Sequence, residues 1–159
     1  MAVNRGKDFE NVIKESVEKC AAIIRLHDQT NGFKGSANIC DFIAYRYPNM
    51  FLFECKSVRG NTFPFSNITD TQWNGMVKYA DISTGIKAGV ICWWTERDVT
   101  RFIPIETLCF YRHILGKKSI SYLHEETPFE EFPIYNIPGK KKRVFFDYDF
   151  EQFFEEIQR

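Results

Sequence analysis

The sequence lacks an excess of charge of either sign, since its 159 residues contain 21 Lys or Arg and 21 Asp or Glu. A protein that coats nucleic acid indiscriminately needs a broadly basic surface, so this balance excludes that class. The balance also leaves no room for a strongly acidic tail. Any function that depends on charge must therefore be local, with charges of one sign gathered on part of the surface.

The sequence also lacks an apolar run long enough to span a membrane, and no apolar segment near Met1 predicts a secretory signal. A hydrophobic content of 44%, with 16% aromatic residues, is too high for a disordered chain. The length favours one domain over two. We therefore expect a single globular domain over residues 1–159.

Cysteine pairs at metal-binding spacing are missing. The number of cysteines is odd, no C-x-x-C pair occurs, and no histidine lies at zinc-ligand spacing from them. They are Cys20, Cys40, Cys55, Cys92 and Cys109. We interpret them as reduced and mostly buried thiols, and we expect a cytoplasmic location.

Hydrophobic periodicity predicts helices and strands that alternate along the chain. Apolar residues at three- and four-residue steps predict an amphipathic helix over Asp8–Ile24. Ile39–Tyr45 and Met50–Cys55 predict a β-hairpin that turns near Pro48. The later predictions are a helix over Asp70–Tyr79 with Asp70 as N-cap, strands Ala88–Trp94 and Thr100–Ile103, a helix Ile105–Leu115 ended by Gly116, and a helix Tyr148–Ile157. This order predicts an α/β fold with a mixed central sheet flanked by helices.

The hairpin carries the residues that point to chemistry. Glu54 and Lys56 share one face of their strand because the side-chain period of a strand is two, and Asp41 lies in the paired strand. Two carboxylates on neighbouring strands, together with the carbonyl of Cys55, are oxygen ligands that suit Mg²⁺. Lys56 beside such an ion would orient the attacking water and stabilise charge on phosphorus. The set suits hydrolysis of a phosphodiester.

A plainer interpretation stays open, in which Glu54 and Lys56 form an ordinary solvent-facing ion pair on a hairpin. Two residues favour the catalytic interpretation. Glu10 lies at the edge of the packed face of the first helix, from which it could reach a metal at the sheet. Gln72 opens the helix after the hairpin, where its amide could hold a water or a phosphate. Each of them could also be a plain surface residue.

The sequence resembles the RecU-type Holliday junction resolvases of the PD-(D/E)XK nuclease superfamily over nearly its whole length. Residues 4–10 (Asn-Arg-Gly-Lys-Asp-Phe-Glu) are similar to the opening Asn-Arg-Gly…Glu motif of that family. Residues 32–34 with Asp41-Phe42 resemble the segment that leads to its first metal-binding aspartate. Residues 53–56 (Phe-Glu-Cys-Lys) are similar to its Phe-Glu-Ala-Lys core, and Phe63-Pro64-Phe65, Asn67-Ile68 and Gln72 follow in the family's order.

The resemblance implies a restriction-endonuclease-like fold and a metal-dependent endonuclease. It implies that Asp41 and Glu54 bind the metal, that Lys56 positions the nucleophile, and that Glu10 and Gln72 complete the site. The metal is expected to be Mg²⁺, with Mn²⁺ as an alternative. A homodimer with two active sites would make paired nicks in a four-way junction, and a stalk at about residues 57–66 would enter its centre. The compact length resembles a phage-encoded member, whose expected location is the cytoplasm of the bacterial host. A recombinase partner is left open.

DNA binding by a neutral protein requires its positive charges to cluster on one face. The candidates are Arg5, Lys7, Arg25, Lys34, Arg59, Lys140, Lys141, Lys142 and Arg143. The run that starts at Lys140 could equally be a solvated turn. Two other functions stay open beside the resolvase: a nuclease for other branched or duplex DNA, and a non-catalytic DNA-binding accessory protein of recombination.

Overall fold

The computed structural model describes residues 5–27, 38–123 and 130–159. The helices of this part are α1 (Arg5–Glu18), α2 (Asp70–Ile82), α3 (Ile105–Cys109) and α4 (Phe150–Ile157), with a 3₁₀ turn at Phe65–Asn67 and a π turn at Phe110–Ile114. The strands are β1 (Ala22–Arg25), β2 (Phe42–Arg46), β3 (Asn49–Val58), β4 (Thr62–Pro64), β5 (Ile86–Trp94), β6 (Val99–Pro104), β7 (Ser119–Ser121), β8 (Tyr135–Asn136), β9 (Gly139–Lys141) and β10 (Phe146–Tyr148). None of the described helices is long and apolar enough to cross a membrane.

One six-stranded sheet organises the fold, in the order β1-β2-β3-β5-β6-β8. Only β3 and β5 are parallel neighbours, and the other neighbours are antiparallel. Two small antiparallel pairs, β4 with β7 and β9 with β10, lie outside this sheet. The mixed central sheet flanked by helices confirms the predicted α/β architecture.

Both faces of the sheet are covered, which explains the almost continuous apolar runs of its central strands. On one face, Phe51 and Phe53 of β3 pack with α1 and α4 in an aromatic core. On the other face, Leu52 packs with α2 and α3. The period of two along β3 therefore assigns Glu54 and Lys56 to the face that α2 covers.

The first helix is shorter than predicted. It ends at Glu18, where Val17 O accepts hydrogen bonds from the N–H groups of Cys20 and Ala21. The apolar residues that follow form β1, which pairs with β2. The prediction of a helix to Ile24 was wrong. The apolar spacing of these few residues fits a helix as well as a strand, and their hydrogen bonding to β2 decides for the strand.

The helix that follows the hairpin lies close to the sheet. A Cβ atom on Gly75 of α2 would lie 2.3 Å from Ile39 Cγ2, just before Asp41 in the chain. Glycine therefore permits this close approach, which brings α2 against the segment just before β2. The N-cap of α2 is Thr69 and not the predicted Asp70, because the Thr69 hydroxyl accepts the hydrogen bond from Gln72 N.

The segment predicted as a stalk, residues 57–66, differs from that expectation. Its first two residues continue β3 beside β5, and Thr62–Pro64 pairs with β7. Phe63 and Phe65 are buried in the core under α2. The segment therefore turns back onto the domain, because its aromatic side chains gain more from burial than an extended arm would allow.

Candidate active site

Asp41 is held against β3 at the beginning of β2. The β2–β3 register pairs Phe42 with Phe53, so Asp41 and Glu54 lie next to each other across the two strands. Asp41 N donates to Phe53 O over 3.0 Å, and Asp41 Oδ2 accepts from Cys55 N over 2.8 Å. Backbone contacts on both sides of the residue thus fix the carboxylate beside the residues predicted to act with it.

Glu54 is a buried carboxylate with 3% of its surface exposed. Its Oε1 accepts from Gln72 Nε2 at 2.9 Å and lies 3.2 Å from Lys56 Nζ. Its Oε2 is buried and has no hydrogen-bond partner within the described residues. Burial raises the pKa of Glu54 well above its ordinary value, the nearby Asp41 carboxylate raises it further, and Lys56 opposes both.

Gln72 uses both ends of its amide. Its Oε1 accepts from Thr69 N at 3.0 Å and completes the capping box of α2, while its Nε2 donates to Glu54. The sequence suggested that this amide could hold a water or a phosphate, and the structure shows that one of its N–H groups donates to Glu54. Gln72 therefore connects the first turn of α2 to the buried Glu54 carboxylate.

Glu10 lies on α1, which packs on the sheet face opposite to that of Glu54 and Lys56, and an arginine binds it. Arg25 Nη1 lies 3.1 Å from Glu10 Oε2, and Arg25 Nη2 donates to Asn11 Oδ1 at 2.6 Å. The same guanidinium lies 5.0 Å above the centre of the Phe42 ring. The Glu10 carboxylate raises the pKa of Glu54 only slightly compared with burial and Asp41. Arg25 is therefore a link between α1 and the sheet edge.

The residues present fit a divalent cation as an open half-site. Within the three described ranges, no group of three or more His, Cys, Asp or Glu side chains could hold a metal ion by itself. The candidate ligands are instead the carboxylates of Asp41 and Glu54 with the backbone carbonyl of Cys55. Burial raises the pKa of the Cys55 thiol well above its ordinary value, so the sulfur stays protonated. Two adjacent carboxylates, one with an unpaired buried oxygen, favour a cation between them.

Comparison with known proteins identifies the family. The family model described as archaeal Holliday junction resolvase (Hjc) matches residues 1–125. The chain belongs to this resolvase family. It is thus a structure-selective, junction-resolving nuclease, and nucleases of this kind use divalent metal ions.

A solved structure and the curated proteins complete this comparison. The structure of Hjc from Archaeoglobus fulgidus, a Holliday junction resolvase from an archaeal hyperthermophile, has 22% identity and a TM-score of 0.49. The match covers 64% of this chain and 78% of that one. No curated protein sequence matches significantly.

Two predicted DNA-binding residues of the resolvase lie together near the end of β3. Arg5 and Arg59 line one shallow pocket with Ser57, Val58 and Thr95. Arg59 Nε lies 3.7 Å from Glu96 Oε1, a weak pair between exposed side chains. Lys7 is exposed on α1. Lys34 lies outside the described residues.

The basic run from Lys140 to Arg143 lies on the β9–β10 hairpin of the resolvase. Lys141 pairs with Asp98 from the turn before β6. Lys140 is opposite Asp147 in the hairpin, and Asp147 Oδ1 also binds Lys19 Nζ at 2.7 Å. Lys19, and more weakly Lys142 and Lys140, lower the pKa of Asp147. Carboxylates therefore neutralise part of the positive charge of this hairpin.

Sequence reasoning missed three cations near the site of the resolvase. Arg112, Lys117 and Lys118 are exposed and line a groove with Thr69 and Asp70 at the beginning of α2. The only signal in the sequence is the basic pair that follows Gly116. Arg112 carries no such signal, because it comes into the groove only through the packing of its turn on α2.

Proposed function

We propose that this resolvase hydrolyses phosphodiesters of four-way DNA junctions with Mg²⁺ at Asp41, Glu54 and Lys56. One observation carries the proposal: the buried Glu54 carboxylate has one oxygen bound by Lys56 and Gln72 and the other unpaired, beside Asp41. Burying a carboxylate in this way costs folding free energy, and a bound cation would offset the cost. Such a site is typical of function and not of stability.

Asp41, Glu54 and the Cys55 carbonyl would hold the cation, with Glu10 adding its charge from the side of α1. Mg²⁺ prefers oxygen ligands and keeps several waters, which suits an open half-site, and Mn²⁺ is the alternative. When bound, the cation would act as a Lewis acid that stabilises negative charge on the phosphoryl oxygens. The protein's part is to keep two carboxylates at a fixed separation.

Lys56 acts on the nucleophile. Its ammonium lies 3.2 Å from Glu54 Oε1, and its side chain keeps 22% of its surface exposed, so it contacts both the buried carboxylate and solvent. Its remaining donors would orient the attacking water and stabilise the charge that develops on phosphorus. Gln72 holds Glu54 in place while this happens.

A homodimer would give the paired nicks that resolve a junction. The support for it lies at the sheet edge formed by β1, which has a free side for hydrogen bonding within the described sheet. Ile24, Tyr45 and Met50 share one face there and are 65%, 50% and 41% exposed. Sedimentation of wild type and of Ile24→Glu should show a dimer and a monomer. A monomeric wild type at micromolar concentration would contradict the proposal.

The motifs at residues 4–10 and 53–56 support a RecU-type member within this group of nucleases. A phage origin is supported by the compact length alone.

The test of the proposed chemistry is nicking of a labelled four-way junction under single-turnover conditions with Mg²⁺. Asp41→Ala and Lys56→Ala should each abolish nicking and leave junction binding measurable. Asp81→Ala, which removes an exposed carboxylate from the far end of α2, is the matched control and should nick normally. Normal nicking by Asp41→Ala would overturn the assignment of the metal site.

A further inference from the structure

A groove of about 910 Å³ opens beside the beginning of α2. Its walls come from β4, the 3₁₀ turn, the N-cap and first residue of α2, the π turn, and the segment from there to the start of β7. The polar lining includes the hydroxyls of Thr62, Ser66 and Thr69. The groove thus offers neutral donors as well as the three cations Arg112, Lys117 and Lys118.

The charge of the groove is positive and available. Three cations line it against a single carboxylate, Asp70. For the chain as far as the structure describes it, no ion pair involves Arg112, Lys117 or Lys118. By contrast, Arg25 is paired with Glu10. The groove therefore has positive charge that no described carboxylate neutralises.

The fold positions the Arg112 guanidinium and the backbone of the two lysines. The Arg112 guanidinium lies 4.6 Å from the centre of the Trp73 ring, and Trp73 is buried on α2. Lys117 N donates to Tyr111 O at 2.8 Å, and Lys118 O accepts from Phe65 N at 2.9 Å. These contacts fix the backbone of the lysines and the position of the Arg112 guanidinium, so binding an anion would require the ordering of the lysine side chains only.

The groove shares a wall with the proposed catalytic cluster, which consists of Asp41, Glu54, Lys56 and Gln72. Thr69 lines the groove and exchanges both hydrogen bonds of the capping box with Gln72. Gln72 in turn donates to Glu54. Thr69 in the groove is therefore connected to Glu54 through a single residue, Gln72. The partial positive charge at the N-terminus of α2 adds to the positive potential of the groove.

We propose that this groove binds the sugar–phosphate backbone of the DNA substrate next to the phosphate that is cleaved. The inference rests on the proposed function for the identity of the substrate and adds the surface that holds it. Arg112, Lys117 and Lys118 would contact successive phosphate oxygens, and the hydroxyls would supply further hydrogen bonds. Such contacts position a duplex arm without reading its sequence, as recognition of a branched shape requires.

The test compares two charge-neutralised variants that lose the same number of charges. One is Arg112→Gln/Lys117→Gln/Lys118→Gln, and the control is Lys140→Gln/Lys141→Gln/Lys142→Gln on the β9–β10 hairpin. Binding to a labelled four-way junction is measured in EDTA over a range of salt concentrations, so that no cleavage occurs. The groove variant should reduce the slope of log K against log salt by about 2 to 3, since each phosphate contact contributes about 0.9. Its affinity for the junction at 0.1 M salt should fall by about tenfold or more.

The hairpin control should change the slope by less than about 1, because two of its lysines face carboxylates. An unchanged slope for the groove variant, or an equal loss for both variants, would overturn the proposal. If the triple variant fails to fold, Lys117→Gln/Lys118→Gln keeps the Arg112–Trp73 contact and should still reduce the slope by about 2. If the two variants differ in binding as expected but the wild-type protein never nicks DNA, the proposed chemistry would be refuted and the binding role of the groove would still be supported.

Discussion

The proposed catalytic cluster (Asp41, Glu54, Lys56 and Gln72) and the basic groove lie on two sides of the first turn of α2, and they differ in the burial and pairing of their charged side chains. In the cluster, Glu54 is buried and lies against Lys56 and Gln72. In the groove, Lys117 and Lys118 are exposed, with no ion pair to any residue in the described ranges. The first arrangement costs stability and fixes geometry, whereas the second costs little and depends on salt.

This difference indicates that the cluster and the groove contribute to different steps, namely cleavage and DNA binding. A buried carboxylate with an unpaired oxygen is destabilising unless something binds it, and under the proposed function a cation would offset that cost in the cluster. Exposed cations are screened by salt and supply affinity without specific geometry. Variants in the cluster should therefore change the rate of cleavage, and variants in the groove should change the affinity for DNA.

The largest effect is expected from Glu54→Gln, which keeps the size of the side chain and removes its charge. We expect the single-turnover rate of junction nicking to fall by about 10³-fold or more, because one ligand of the cation and the partner of Lys56 are lost together. Junction affinity in EDTA should stay within about threefold of wild type. A Glu54→Gln variant that nicks normally but binds the junction weakly would contradict the assignment of chemistry to the cluster and of DNA affinity to the groove.

A smaller effect is expected from Gln72→Ala, which affects the wall that the two regions share. The variant loses the hydrogen bond to Glu54 and half of the capping box, so nicking should fall about tenfold and the free energy of unfolding by about 1 kcal/mol. Asp149→Ala removes the N-cap of α4 and serves as the control for stability. It should lose a similar free energy in thermal or urea unfolding and nick at the wild-type rate. Equal nicking by the two variants would show that Gln72 only stabilises the helix.

The smallest effect on DNA binding is expected from Arg25→Gln. Because this guanidinium contacts Glu10, Asn11 and the Phe42 ring, its loss should lower the free energy of unfolding by about 1 kcal/mol. The salt slope of junction binding should not change. A slope that falls by about 1 would mean that Arg25 contacts a phosphate, and it would extend the basic surface to β1.

Local patterns predicted the cluster better than they predicted its surroundings. The period of two along β3 and the turn near Pro48 were enough to place Glu54, Lys56 and Asp41 together. The two uses of the Gln72 amide could not be predicted, because they depend on where α2 packs. The end of the first helix was missed for a related reason, since pairing with β2 decided the conformation of Ala22–Arg25.

The basic surfaces show the limit of reading charge along a chain. Lys140 to Arg143 stand out in the sequence, but their partners Asp98 and Asp147 are visible only in the folded hairpin. The opposite holds for the groove, whose positive charge is visible in the folded structure and not in the sequence. Arg112 and the pair Lys117-Lys118 are unremarkable in the sequence and come together through the β4–β7 pairing and the contact of Arg112 with Trp73.

The most direct test of the central claim is cleavage of a labelled four-way junction and of a linear duplex of the same sequence by the wild-type protein, each with Mg²⁺ and with EDTA. The claim predicts paired nicks near the branch of the junction with Mg²⁺, no nicking in EDTA, and little cleavage of the linear duplex. Nicking of the junction in EDTA, or equal cleavage of junction and duplex, would contradict a metal-dependent, junction-selective site at Asp41, Glu54 and Lys56.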